Sequence, residues 1–191
     1  MGEAYIFDFD GVLVDTMPAH GACYQEALAE VGVPMDMPEY YSMAGMTGRE
    51  QIRHFAAKVG KTVDADTVYY RKRDLYMKHV HRATPIPENI TLLRVLRAAG
   101  HRAAIASGGS RASILPVMER YEIHADALVT GDEVQRGKPE PDIFLIAARR
   151  LEAAPADCTV IEDSDVGVEA ALCAGMKAFR FHRLNDPKLP R

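Results

Sequence analysis

Tryptophan is absent from the 191-residue chain, and its three cysteines, Cys23, Cys158 and Cys173, lie far apart and form no CxxC pair. That pattern excludes a disulfide framework and a cysteine zinc site, and it sets a reducing, cytoplasmic environment as the expectation. No apolar run approaches the roughly 18 residues of a membrane-spanning helix. The N-terminal Met1-Gly2-Glu3-Ala4-Tyr5 carries an early acid and enters strand-like sequence at once, unlike a secretory signal. A basic excess is missing too: 23 Lys+Arg stand against 27 Asp+Glu, a net charge of −4, which argues against a general nucleic-acid binder. Low-complexity segments and internal repeats are also missing. What is present is ordinary globular material, 48% hydrophobic and 26% charged. A length of about 1.3 typical domains leaves one or two modules open.

Strand and helix patterns alternate at both ends of the chain but not in its middle. Ala4-Tyr5-Ile6-Phe7 is a short apolar run that stops at acids and reads as a buried strand. From about residue 89 a βα unit recurs. A helix at 89–99 ends at Gly100, and a strand at 103–106 is followed by Gly108-Gly109. Next come a helix at 110–121, a strand at 127–129, and a helix opening at Pro139 or Pro141. A strand at 159–161, a helix ending at Gly175 and a strand at about 177–181 complete the pattern. Strands alternating with helices of this length predict a doubly wound α/β core with a parallel sheet. Residues 16–82 break the rhythm with helix patterns at 18–31, 49–59 and 64–80 and no strand. They are expected to form an inserted α-helical cap domain between core segments 1–15 and 83–191, hinged at Asp15-Thr16 and Thr84–Pro87.

The chemistry concentrates at strand ends. Asp8-Phe9-Asp10-Gly11-Val12-Leu13-Val14-Asp15-Thr16 places two carboxylates two residues apart directly after the first strand. Ligands of open α/β sheets bind beyond the carboxyl ends of strands. Paired carboxylates there repel unless a cation intervenes, and hard oxygen donors favour Mg²⁺. A carboxylate can also act as a nucleophile toward phosphorus. Alone, the pair also fits an ordinary polar loop.

This segment resembles the first motif of the haloacid dehalogenase superfamily, DxDGxLxDT, and the resemblance extends along the chain. Ser107-Gly108-Gly109 ends the second apolar run, where that family places a phosphate-binding Ser or Thr. Gly137-Lys138-Pro139-Glu140-Pro141-Asp142-Ile143-Phe144 is similar to its GKPxPDxF lysine motif. Glu162-Asp163-Ser164-Asp165-Val166-Gly167, with Ala170-Ala171 and Ala174-Gly175-Met176 after it, is similar to its acidic EDSxxGxxAAxxAGM motif. The position of the insertion matches the subgroup whose helical cap follows the first motif.

The resemblance implies a Mg²⁺-dependent phosphomonoester hydrolase acting on a small phosphorylated metabolite, with Asp8 as nucleophile and Asp10 as general acid and base. It implies phosphate contacts from Ser107, Gly108 and Lys138, the last also stabilising charge on the transferring group. It further implies metal held by Asp8, the backbone carbonyl of Asp10 and Asp163, with Glu162 helping through water. The helix after Ser107 is expected to turn its N-terminus favourably toward phosphate, with Ser110 as its cap. Asp165 reads as a cap of the last helix, with a metal contact as the alternative.

In the insertion, Thr16 and His20 lie four apart and share a helix face. β-Phosphoglucomutases and several sugar phosphatases carry a histidine at the place of His20. Gly45-Met46-Thr47-Gly48-Arg49 resembles the cap's specificity loop, where Arg49 fits either a bidentate grip on substrate or a solvent-facing helix start. Lys72 is in register with a β-phosphoglucomutase cap lysine but also fits a solvated basic face with Arg71 and Arg73. Fructose-1-phosphate and 6-phosphogluconate phosphatases give a similar overall pattern. The GMTGR loop is one residue longer than the mutase's, and Ser-Gly-Gly-Ser-Arg replaces its Ser-Ala-Ser.

Asp10 disfavours the dehalogenase reading, and the lack of a clearly placed Schiff-base lysine disfavours a phosphonatase. A catalytically silent phosphate-binding module is the non-enzymatic alternative. A monomer or weak homo-oligomer is expected.

Overall fold

A computed structural model of the chain describes residues 3–43 and 46–181. The chain opens with β1 (Ala4–Phe7) and β2 (Val14–Asp15) and continues through α1 (Met17–Glu30), α2 (Met37–Ser42), α3 (Gly48–Lys58), α4 (Ala65–Asp74) and α5 (Tyr76–His79). It returns at β3 (Thr84–Pro85) and then alternates through α6 (Pro87–Ala98), β4 (Arg102–Ser107), α7 (Arg111–Arg120), β5 (Ala127–Thr130) and α8 (Asp142–Arg150). It ends with β6 (Cys158–Glu162), α9 (Asp165–Cys173) and β7 (Lys177–Arg180).

The central sheet has strand order β5-β4-β1-β6-β7, and every pair in it is parallel. Parallel strands need covered faces, and these read as near-continuous apolar runs. On one face Ile6, Ala104, Val129 and Val160 pack with Ile143, Phe144 and Ala147 of α8, with Ala170 and Ala171 of α9 and with Ala174 just after it, all buried. After β1 the chain builds β4 and β5 on one side, then crosses to build β6 and β7 on the other. The strand order therefore reverses beside β1, and a crevice opens at such a point beyond the carboxyl ends. Register aligns those ends, because Phe7 pairs with both Ile105 and Ile161. The Asp8 amide donates to the Ile161 carbonyl at 2.9 Å, holding the first catalytic candidate at the sheet rim.

Thr16–Thr84 forms one compact unit, and Met1–Asp15 with Pro85–Arg191 forms the other. The return crossing lies after Thr84 rather than after residue 82. Val80–Arg82 still makes a helical turn, and the Ala83 amide donates back to the Val80 carbonyl. Within the sheet unit, the chain beside both crossings is tied down: the Ile86 amide donates to Leu13 O at 2.8 Å, and the buried Asn89 Nδ2 donates to Val12 O at 2.8 Å.

Inside the helical unit α1 buries Ala19, Cys23, Ala27 and Leu28, and α3 buries Ile52, Phe55 and Ala56. Helix α2 has no counterpart among the helix patterns at 18–31, 49–59 and 64–80, because Pro34 and Pro38 interrupt the periodicity between the first two. Pro38 instead occupies the first turn, where a missing N–H costs nothing. The Asp36 side chain caps that helix by accepting from the Glu39 amide at 3.0 Å. Among the described residues no helix is long and apolar enough to cross a membrane.

Candidate active site

Four strand ends and loops of the sheet unit bring the expected residues together. Asp8, following β1, is buried, and Lys138 from the loop between β5 and α8 donates from Nζ to its Oδ1 at 2.5 Å. The same Nζ donates to Oε1 of Glu162, the last residue of β6, at 2.6 Å. Side-chain exposures of 11% for Lys138, 7% for Asp8 and 2% for Glu162 mark a charge cluster largely withdrawn from water. The Lys138 ammonium also lies over the Phe144 ring, 4.9 Å from its centroid, a further contact from the same motif.

Asp10 is joined to Ser107, whose Oγ donates to Asp10 Oδ2 at 2.9 Å. Ser107 is fully buried at the end of β4, and its Oγ also accepts from the Gly109 amide at 3.0 Å, closing a tight turn around Gly108. Gly11 is left-handed at φ 87°, which suits glycine, and a side chain there would overlap the Asp163 carboxylate. The first motif and the acidic motif thus pack directly on each other.

The electrostatics follow from burial. Desolvation pushes the Asp8 carboxyl well above the usual carboxylate range, and the charges of Glu162, Asp10 and Asp163 add to that push, while Lys138 opposes it. For Lys138, burial works against the charged form, but Asp8 and Glu162 outweigh it and hold the amine protonated. The cluster has more carboxylates in mutual range than its single ammonium balances.

No metal-ligand set stands preformed among the described residues. Asp8 and Glu162 share Lys138 instead. Glu162 departs furthest from its expected role: Oε1 is taken by Lys138, and Oε2 accepts from the Ser164 amide at 2.7 Å and from Ser164 Oγ at 2.8 Å. A side chain on Gly167 would overlap this carboxylate, so the glycine of the acidic motif makes room for it. The cap of α9 is Ser164, whose Oγ accepts from the Gly167 amide at 3.1 Å, while Asp165 pairs with Arg180. The reading of Asp165 as the cap is corrected accordingly. Ser110 does cap α7, accepting from the Ser113 amide.

One expectation about phosphate is revised. The first amide of α7, that of Arg111, donates to Oδ2 of Asp132 at 2.7 Å, so a carboxylate of the chain occupies the start of that helix. No sequence pattern marks Asp132, a loop acid five residues before the lysine motif.

The helical unit gathers a second set. Lys72 is 8% exposed, and its Nζ stands 2.9 Å from His20 Nδ1. An ammonium there donates to an imidazole nitrogen that carries no proton. The same Nζ lies 4.9 Å from the Tyr24 ring centroid, and the His20 ring lies 4.8 Å from that of Tyr76. A solvated basic face is therefore the wrong description of Lys72, although Arg71 does reach out to Glu30. Thr16 is buried immediately before α1. Burial pushes the Cys23 thiol up to about 11, against the opposing Lys72 charge, which makes it a poor nucleophile. Arg49 does not stand free as a grip: its Nε donates to Asp66 at 2.5 Å, and its guanidinium lies 4.5 Å from the Tyr69 centroid. Gly45 lies outside the described residues.

The family described as haloacid dehalogenase-like hydrolase matches residues 5–181. The chain is 33% identical to hexitol phosphatase A of Escherichia coli over 190 residues, covering 91% of this chain and 80% of that protein. It is 31% identical to the β-phosphoglucomutase of Bacillus subtilis over 186 residues, covering 92% and 81%. The crystal structure of CbbY from Rhodobacter sphaeroides in complex with phosphate superposes with a TM-score of 0.79 at 26% identity, covering 100% of this chain and 90% of that one.

Proposed function

We propose that this chain, which belongs to the haloacid dehalogenase-like hydrolase family, is a Mg²⁺-dependent phosphatase that hydrolyses small phosphomonoesters, sugar phosphates foremost, through a phosphoryl group carried on Asp8. The observation carrying this reading is the buried Asp8–Lys138–Glu162 cluster at the strand-order switch, with Ser107 bonded to Asp10 beside it.

A carboxylate oxygen of Asp8 attacks phosphorus, and the bond from phosphorus to the ester oxygen breaks. Asp10 gives its proton to the departing alkoxide, a contribution typically of about 10²- to 10⁴-fold. Asp10, now ionised, then takes a proton from water, and that water attacks phosphorus, freeing inorganic phosphate and restoring Asp8. Ser107 Oγ and the Gly108 amide hold the phosphoryl oxygens. Lys138 offsets their charge from a site where few water molecules compete. The donor set fits a hard cation, because the acids around Asp8 exceed the one lysine charge. Asp8, the Asp10 carbonyl and Asp163 are the groups that would hold it, and a bound Mg²⁺ supplies further positive charge against the transferring phosphoryl group. Thr16, His20, Gly45 and Lys72 are the proposed substrate contacts of the helical insertion, and Arg49 joins them only by giving up its bond to Asp66.

A phosphosugar mutase is the second reading, favoured by the buried Lys72–His20 pair and by the Bacillus relative's name. The two separate on products. A panel of phosphomonoesters with Mg²⁺, including β-glucose 1-phosphate and a hexitol phosphate, is expected to release inorganic phosphate. Glucose 6-phosphate formed without phosphate release would replace the phosphatase with the mutase. Chloride release from a haloacid without metal would remove both.

A further inference from the structure

The turn that ends β4 is held from outside by residues to which neither the motifs nor the relatives' names give a role. The Gly131 amide, just after β5, donates to the Gly109 carbonyl at 2.8 Å. A side chain on Gly131 would drive into the Gly108 carbonyl, a backbone atom with no rotamer to escape through. The next residue, Asp132, accepts the Arg111 amide at 2.7 Å. The Ser107–Arg111 segment is therefore gripped at two backbone points by two consecutive residues. Ser107 Oγ accepts from the Gly109 amide within it. The segment itself is glycine-rich, so outside contacts must supply the order its own side chains cannot.

From this geometry we infer that Asp132 and Gly131 are positioning residues of the phosphate turn. Asp132 takes the helix-start amide that an anion would otherwise occupy, which leaves phosphate to the Ser107 hydroxyl and the Gly108 amide. It also fixes where the turn joins α7. Gly131 fixes the other side by its amide and by its lack of a side chain. The inference rests on the phosphatase reading only in taking this turn as the holder of the phosphoryl group.

Binding separates the two ideas. Inorganic phosphate is titrated calorimetrically into the Mg²⁺-loaded wild type and the Asp132→Ala and Asp132→Asn variants, with Kd referred to the folded fraction, and steady-state kinetics are run alongside. The alanine variant loses a hydrogen bond to a charged group, so Kd for phosphate is expected to rise about tenfold or more. KM should rise with it, by more than kcat falls. Asparagine keeps an acceptor oxygen for the Arg111 amide, so Asp132→Asn should recover phosphate binding to within about threefold of wild type. Gly131→Ala should weaken binding at least as much as Asp132→Ala.

Wild-type phosphate affinity in folded Asp132→Ala would overturn the inference and leave the phosphatase reading intact. So would a variant whose thermal stability falls while Kd stays fixed. If Asp132→Ala does not fold, Gly131→Ala and Asp132→Asn decide together: wild-type affinity in folded Gly131→Ala overturns the assignment, and weakened binding in Gly131→Ala with near-wild-type affinity in Asp132→Asn supports it. A wild type that binds no phosphate would overturn both readings together.

Discussion

Asp8→Asn is expected to lower Mg²⁺-dependent phosphate release by about 10⁴- to 10⁶-fold, the range seen when a nucleophile or its partner is removed from an enzyme. The amide has the shape of the carboxylate but cannot attack phosphorus. Folding should persist, because Lys138 keeps its bond to Glu162 and the substitution removes one member of a mutually repelling group of acids. Loss of activity with retained thermal stability, read by calorimetry on the same samples, separates chemistry from unfolding. Turnover within tenfold of wild type would remove Asp8 as nucleophile.

Lys138→Ala should act on stability and activity together. Its ammonium stands between two buried carboxylates, and deleting one partner of a buried pair costs about 3–5 kcal/mol, since the charge left behind is uncompensated. Turnover should fall about 10²- to 10³-fold, the usual effect of losing one group that stabilises developing charge.

The stability deficit should depend on pH with a definite sign. Burial already raises Asp8, and the Lys138 ammonium pulls it down. Without that lysine the folded-state carboxyl is raised further above its unfolded value, so the fold prefers the protonated acid. Stability of the variant relative to wild type should therefore fall as pH rises past the wild type's own raised Asp8 value, and that part of the deficit should vanish below it. Urea unfolding of both chains from pH 5 to pH 8 measures this. A deficit that shrinks toward alkaline pH would contradict the buried-cluster description.

The sheet and the residues at its rim were legible because its three central strands are short apolar runs stopped by chemistry-bearing residues. Phe7 gives way to Asp8, Ala106 to Ser107 and Ile161 to Glu162. The parallel topology then aligns those stops without further information. Helix α2 was not legible, because two prolines read as breaks when one of them starts a helix. Partner choice was less legible still. Nothing in the spacing assigns Glu162 to Lys138 and Ser164, or Arg49 to Asp66, since these pairings depend on where separate loops meet. Lys72 looked solvated because it sits between two arginines, yet helical geometry points it the other way, against His20 and Tyr24. Asp132 carries no pattern at all, because its partner is a backbone amide 21 residues earlier, which sequence does not distinguish from any other.

The chemistry is tested most directly by stopping a single turnover in acid and locating the phosphoryl group by peptide mass spectrometry. Enzyme mixed with a turned-over sugar phosphate and Mg²⁺, quenched within milliseconds, should carry one phosphoryl group on the peptide containing Asp8. Borohydride should reduce that residue, as it does an acyl phosphate, and the Asp8→Asn chain should carry nothing. A burst of alcohol product with Asp8 unmodified, or a phosphoryl group on His20 or Ser107 instead, would contradict it.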